Sequence, residues 1–424
     1  MSDKLQTFWW QQAHQAVRDS TGHEPEWLTA YRSEQLERFE ATGLPDKKVE
    51  LWKYTDIHRL EEVLENRLTD DWELQLDEDE QARCVIVVSD YGIEVHGSLP
   101  SGVRLKPVAE APQKLWKPFA YVEPGEGRGT RPGSQIQARA YAHVMVNQAA
   151  FKTGFWLHVA ENTRVKRPLQ VVYVQHEDVC LHINNIIEVE AGGTLEMRQC
   201  ARPGGIINVV NRQWCGQNAC LNVGNRHQLA GRSALLTHTQ TWLQDNAQQH
   251  SLTFNQSGHL SRHQQDVLPL AANTRHSAGV IHRADGNAHL CSISQSLLNK
   301  PAANTRVYMR ALADDKAVSV VNCTGVVYPG SDDCQVEQSL KNLLLSERAR
   351  IYSKPALEIY ADEVEAAHGS TIGTLDEQAL FYLRSRGIPL EQARDMLITS
   401  FLSEAVNLDD APWRQQFYES LQAC

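Results

Sequence analysis

Between about Phe155 and Tyr360 the chain consists of short alternating segments split by Gly, Asn and Asp, with no helical period between them. NIIEVEAGGTLEMRQ, ALLTHTQTWLQ, AHLCSISQSLL and AVSVVNCTGVVYPG are examples. Side chains of a strand alternate between two faces, so such a run folds as many successive strands joined by tight turns. Repeated strands of this length without crossover helices fit a sandwich, a barrel or a β-solenoid. No clean repeat period emerges, and the pattern alone leaves those three open.

The flanks read differently. From Lys4 to about Leu68 good helix formers dominate, and Trp9, Trp10, Ala13, Ala16 and Val17 recur at helical spacing. Short strands are expected at Arg83 to Ser89 and Gly92 to Gly97, and a loop from Glu123 to Ser134 holds Gly125, Gly127, Gly129 and Gly133. Near the other end, Asp376 opens a helix that carries Leu380, Phe381 and Leu383 as an apolar stripe. Arg384 and Arg386 sit in its last turn, and Gly387 with Pro389 stops it. A second helix from Pro389 places Ala393, Leu397, Phe401, Leu402 and Ala405 on one face, and a third follows Pro412. The division is a helical region over 1–75, a β-rich region over 76–367 and a helical region over 368–424. Three short helices cannot bury their stripes alone, so they must pack on the β region, on each other or on a partner.

At 424 residues and 42% hydrophobic content the chain can bury a large core. Its net charge of -11 argues against a phosphate backbone as partner. The opening MSDKLQTFWWQQAH has no basic region followed by an apolar stretch, and no apolar run approaches about 20 residues, so neither a secretion signal nor a membrane span is expected. The nine cysteines are scattered, with no C-x-x-C pair, which points away from a disulfide framework or a standard zinc site. A soluble cytoplasmic protein is the expectation.

Motif chemistry is mostly excluded. No G-x-x-x-x-G-K-[ST] or G-x-S-x-G occurs, so neither P-loop ATP hydrolysis nor an α/β-hydrolase site is expected. The glycines from Gly125 to Gly133 read as a surface loop. His250, His259, His263, His276, His282 and His289 crowd one part of the strand region, where they read as structural histidines. Cys215 and Cys220 would lie on opposite faces of a strand and read as buried thiols. Asp314 with Asp315, Asp332 with Asp333 and Glu363 with Glu365 are the carboxylate pairs a carbohydrate-active enzyme would need, but most lie in turn-like sequence.

Two stretches carry a family resemblance. LEIYADEVEAAHGSTIG, followed by LFYLRSRGI, spans Leu357 to Ile388, and Gly43, Leu44, Pro45 precede Glu50, Leu51, Trp52, Lys53, Tyr54, Thr55. GFWLHVAENTRVKRPLQVVYV and the YPG of Tyr328 to Gly330 add weaker likeness between them. The chain thereby resembles the SufB/SufD family of the Suf iron–sulfur cluster assembly system, on its SufD side.

The resemblance implies a right-handed parallel β-helix core, a non-catalytic scaffold role, and partners SufB and the ABC-type ATPase SufC, with a homodimer in isolation. It implies a nascent iron–sulfur cluster, and a reduced flavin, only within the SufBCD complex. His368 occupies the position of the family histidine implicated in cluster assembly at the SufB interface, where an imidazole could ligate iron transiently or carry a proton. By itself, His368 before Gly369, Ser370 and Thr371 reads as an accessible turn. The family often has a cysteine two residues earlier; here Ala366 stands there, and no thiolate can come from that position. The SufC-binding region implied is Leu380, Phe381, Leu383, Arg384, Arg386, Leu397 and Phe401. The alternatives are a SufB-like paralogue and, more distantly, a β-helix carbohydrate-active enzyme.

Overall fold

The computed structural model describes residues 4–65, 84–116, 138–176, 179–229, 231–256, 258–406 and 412–422. The glycine-rich loop from Glu123 to Ser134 lies outside them. Nineteen strands form two facing sheets. The first contains, in spatial order, β2 (Gly92–His96), β1 (Val85–Ser89), β5 (Leu169–Val174), β7 (Thr194–Arg202), β9 (Cys220–Gln228), β11 (Gln248–Gln256), β13 (Arg275–Ala284), β15 (Asn304–Ala313), β17 (Cys334–Leu344) and β19 (Val364–Gly373). The second contains β3 (Val103–Pro107), β4 (Phe155–Val159), β6 (Cys180–Val189), β8 (Ile206–Cys215), β10 (Ala234–Leu243), β12 (Leu260–Pro269), β14 (His289–Leu298), β16 (Val318–Val327) and β18 (Arg350–Ile359). From β4 onward the chain alternates between the sheets, and each strand pairs in parallel with the strand two places on. This is a β-solenoid of about 7 turns.

The repeat is irregular in length, which is why the sequence shows no period. Cys180 pairs with Ile206, 26 residues further on, whereas Val318 pairs with Arg350, 32 further on. The variation falls in the corners, and their conformation is the constant. Asn162, Asn218, Asn246, Asn273, Ala302 and Asp333 all have φ between 53° and 59° at one corner, with Gly192 in the same place. Asn and Asp tolerate this left-handed region best among non-glycine residues. Each corner N–H donates to a carbonyl of the next turn, as Asn218 does to Asp245 (2.9 Å) and Asp333 to Glu363 (2.7 Å).

The interior changes character along the stack. Inward side chains of the early turns, such as Leu181, Ile183, Ile207, Val209 and Leu235, form an apolar core. The middle turns are hydrogen-bonded instead: Thr237 meets His263 (2.8 Å), His227 meets Asn255 (2.7 Å), and His282 meets Ser292 and Ser319 (both 2.8 Å). Val307, Met309, Val321, Cys323 and Leu340 close the interior beyond them.

Helices cover both outer faces. α1 (Lys4–Ser20), α2 (Glu26–Thr42), α3 (Arg59–Glu65) and α4 (Ala142–Ala150) precede the full-length turns. Leu5, Trp9 and Ala13 of α1 pack in one cluster with Ala234, Leu236 and Leu260 on the outside of the second sheet, as their helical spacing predicts. At the C-terminus come α5 (Glu377–Ser385), α6 (Leu390–Ser403) and α7 (Pro412–Gln422). Asp376 caps α5 by accepting from the N–H groups of Gln378 and Ala379. Ile398, Leu402, Trp413 and Phe417 pack on Leu252, Phe254, Ile281 and Leu312 of the first sheet. Arg414 is buried there and donates to the carbonyls of Ser251 and Ser277. The stripes of α6 and α7 are therefore covered by the solenoid; α5 has no buried residue.

One expectation is corrected. Residues His368 to Thr371 form no turn: they lie inside β19, which runs to Gly373, past the expected boundary at 367/368. Gly369 and the hydroxyl residues read as turn formers, but in-register pairing with β17 overrides that local preference.

Sheet and C-terminal helices meet closely at Gly279, where an added Cβ would lie 2.5 Å from the Ala405 carbonyl oxygen. Gly279→Ala is expected to cost about 1–3 kcal/mol by forcing that contact apart. Gly286→Ala, at a corner with open space but φ of 58°, tests backbone strain instead. Urea unfolding of both variants checks this, and an unchanged midpoint for Gly279→Ala would contradict the packing described.

Candidate functional site

The solenoid ends without a cap among the described residues. β19 and β18 are the last strands of their sheets, and each is paired along one edge only. Each strand from β4 to β17 is paired on both sides, whereas these two leave a ten-residue edge each.

His368 belongs to the inner face of this open end. In β17 burial alternates: Val336, Gln338, Leu340 and Asn342 are buried, while Gln335 and Lys341 are exposed. The register places Ala366 over Val336, His368 over Gln338, Ser370 over Leu340 and Ile372 over Asn342. These four continue the inward columns, yet all are exposed because no further turn lies above them. Across the opening, the Ser353 hydroxyl of β18 shares a 2.8 Å hydrogen bond with that of Ser370. Beneath, Gln338 Nε2 donates to the Ala356 carbonyl (3.2 Å) and Asn342 Nδ2 to that of Thr371 (2.8 Å).

The imidazole of His368 has no hydrogen-bond or ion-pair partner among the described residues, so both ring nitrogens are open to a ligand from outside. No group of three or more His, Cys, Asp or Glu side chains among the described residues could hold a metal ion. With Ala366 two residues before it, His368 offers one nitrogen donor and no thiolate comes from that position. Reading the segment as a strand would have exposed the companions of His368, since Ala366, His368, Ser370 and Ile372 alternate. The glycine and hydroxyl residues masked that period.

The helical residues named from the sequence divide into covered and outward positions. Leu380 and Leu383 of α5, with Leu397 and Phe401 of α6, are half-buried, and α5 packs on α6. Phe381 (74% exposed), Arg384 and Arg386 point outward. Tyr382 (57% exposed) joins them, with the Arg386 guanidinium 5.3 Å from its ring; sequence periodicity did not mark it.

The crowded histidines serve structure. His263, His276 and His282 point inward and are hydrogen-bonded, His250 lies on the outer face with Ser277 (2.6 Å), His289 meets the Thr55 hydroxyl (3.2 Å), and His259 donates to the Arg59 carbonyl (3.1 Å). Burial holds His282 and His289 down to about 3 and His227 to about 4, so they are neutral in the folded protein. Cys215 and Cys220 are free thiols, as expected, but they do not share a strand: Cys215 ends β8 in the second sheet and Cys220 begins β9 in the first, across a corner; burial raises both. Asp314 with Asp315 and Asp332 with Asp333 occupy corners.

Comparison with known proteins agrees with this architecture. Residues 172–401 match the model described as SUF system FeS cluster assembly, SufBD core domain, and residues 4–91 match the SufBD protein N-terminal region. The iron–sulfur cluster assembly protein SufD of Bacillus subtilis is 24% identical over 405 residues, covering 91% of this chain and 90% of its own. An iron–sulfur cluster assembly SufBD family protein of Synechocystis is 24% identical over 395 residues, covering 87% and 84%. SufD of Escherichia coli is 37% identical over 119 residues, covering 28% of each chain.

Two outcomes follow from the site's surroundings. Because the His368 imidazole is exposed, His368→Ala should change stability by less than about 1 kcal/mol in thermal melts. The buried histidines set a pH dependence. Their folded values lie below the unfolded value of about 6.5, so the unfolded chain binds more protons below that pH and stability falls with falling pH. Each contributes about 1.4 kcal/mol per pH unit between about 6.5 and its folded value. Urea midpoints measured from pH 7.5 to 5 should decline, and a flat profile would contradict neutral burial.

Proposed function

Because the chain belongs to the SufBD family of iron–sulfur cluster assembly proteins, we propose that it is a non-catalytic scaffold subunit whose open solenoid end pairs with SufB while its C-terminal helices take SufC. The observation that carries this reading is the uncapped last turn, where two strand edges and the inner column of His368 are presented together. A strand edge recruits another strand through main-chain hydrogen bonds. A partner solenoid docked there would enclose His368 between the two chains. A cluster assembled at that junction is cargo: His368 would supply one nitrogen ligand or move a proton at its ring, and the partner the thiolates that Ala366 cannot.

The chain has no P-loop motif, so ATP hydrolysis comes from the partner. Phe381, Tyr382, Arg384 and Arg386 give that partner an aromatic and cationic surface of the kind enriched in interface centres. SufB would take the strand edges and inner column of the open end, and SufC the outward residues of α5. A SufB-like role fits less well, since the position two residues before the histidine holds no cysteine. A glycan-active role fits less well: the groove along the corner that holds Asp333 is lined mainly by polar side chains, with no sugar-stacking aromatic in its lining.

Reconstitution with SufB, SufC, iron, a sulfide source and reduced flavin tests the proposal. His368→Ala is expected to keep complex formation and ATPase coupling but to reduce cluster absorbance at least tenfold. A variant complex that builds clusters at the parent rate removes His368 from the mechanism. Phe381→Ala with Tyr382→Ala should weaken SufC binding by about 2 kcal/mol or more, read by titration calorimetry. Because α6 and α7 belong to the core, this pair is a cleaner probe than deleting residues after Thr374.

A further inference from the structure

The segment from Glu50 to Thr55, part of the E-x-WKYT pattern, contributes nothing to the inner face of the open end. It forms a short 3-10 turn that lies across the outside of the second sheet and touches β12, β14, β16 and β18. On β12, Arg262 donates to the Leu51 carbonyl (3.1 Å) and its guanidinium stacks 3.9 Å from the Trp52 ring. On β14, His289 meets the Thr55 hydroxyl at 3.2 Å. Leu51 and Tyr54 pack against Cys291 and Ile293 of β14 and Val320 of β16. On β18, Tyr54 stacks on Tyr352 with centroids 4.1 Å apart and planes 9° off parallel, and Glu50 forms an ion pair with Lys354.

The segment is therefore anchored on β12 and β14 through Leu51, Trp52 and Thr55, while Glu50 and Tyr54 reach the edge strand β18. Trp52 is 1% exposed and its Nε1 donates to the Ala140 carbonyl at 2.9 Å, which anchors the strap from behind. β18 has a strand neighbour on one edge only, and the strap adds side-chain contacts on its outer face. β19 differs: its outward residues Glu365, Ala367, Gly369 and Thr371 are all exposed. One edge of the opening is braced from outside and the other is bare.

We propose that Tyr54 and Glu50 are positioning residues that hold β18 in its edge position, so that the open end is a preformed surface for a partner's strand edge. This rests on the reading that the open end docks a partner. Terminal strands of a stack are the first to open locally, and an edge that frays must be re-ordered before it can pair. A stacked aromatic pair and an ion pair on the outer face oppose that opening without touching the hydrogen-bonding edge itself.

Hydrogen exchange on the full-length chain tests it. Tyr54→Ala should speed exchange of the amides of 350–359 by about three- to tenfold, the range expected for loss of one stacked pair, while those of β10 keep their parent rates. Tyr54→Phe should restore parent exchange, because the ring makes the contact. Glu50→Lys should loosen β18, and adding Lys354→Glu should recover it. Unchanged exchange of β18 in Tyr54→Ala, or acceleration spread equally over all strands, overturns the proposal. SufB binding supplies the second arm: weakened affinity in Tyr54→Ala with recovery in Tyr54→Phe links the strap to docking. Faster exchange of β18 with unaltered SufB affinity overturns that link and counts against the docking reading, while leaving the hold on β18 measured.

Discussion

Everything in this molecule depends on the parallel hydrogen-bond ladder between successive turns. The backbone groups of each turn are satisfied only by the turns before and after it, so the stack has a beginning and an end that must be treated separately. At the beginning the treatment is internal: β2 pairs antiparallel with β1 and β3 antiparallel with β4, each only five residues long. Short edge strands are poor templates for further pairing. At the other end two ten-residue strands are each left unpaired along one edge. The asymmetry between a closed start and an open finish gives the chain its direction, and His368 stands at the open finish.

The ladder also decides what the interior can be. Once the backbone is paired, side chains alone fill the space between the sheets, and in the middle turns they form a hydrogen-bonded lattice of His, Asn, Gln, Ser and Thr. Such a lattice is favourable only where its members find partners, which fixes rotamers as firmly as close packing does. Val307, Met309, Val321, Cys323 and Leu340 separate this lattice from the open end.

The sequence made the fold class and the helical flanks legible, because alternation and helical spacing are local properties. The helices beginning near Asp376, after Pro389 and at Pro412 emerge close to their expected starts, with Pro389 preceding the second helix instead of opening it. The solenoid itself was not legible from period, since its corners absorb insertions and its strands do not: those from β6 on keep nine to eleven residues. His368 could be singled out only by family likeness, and its setting was misread because Gly369, Ser370 and Thr371 carry turn chemistry into a strand held by its neighbour. The roles of Arg262 and Tyr54 were hidden for a different reason. Their partners, Trp52 and Tyr352, lie hundreds of positions away along the chain, and no local pattern encodes such a contact.

The junction between β19 and α5 has a mechanical meaning. Only Thr374, Leu375 and Asp376 separate the last strand from the outward helix, so a pull on α5 is delivered to the terminus of β19 with little slack. Parallel strands loaded along their length share force over all their hydrogen bonds, whereas a strand lifted from its end yields one bond at a time. A force directed away from the sheet would thus peel β19 from Gly373 toward Val364, reaching His368 half-way. The solenoid below, with each strand from β4 to β17 held on both sides, would resist as a stiff block. The open end is in this sense a zip with a handle, mounted on a rigid bar.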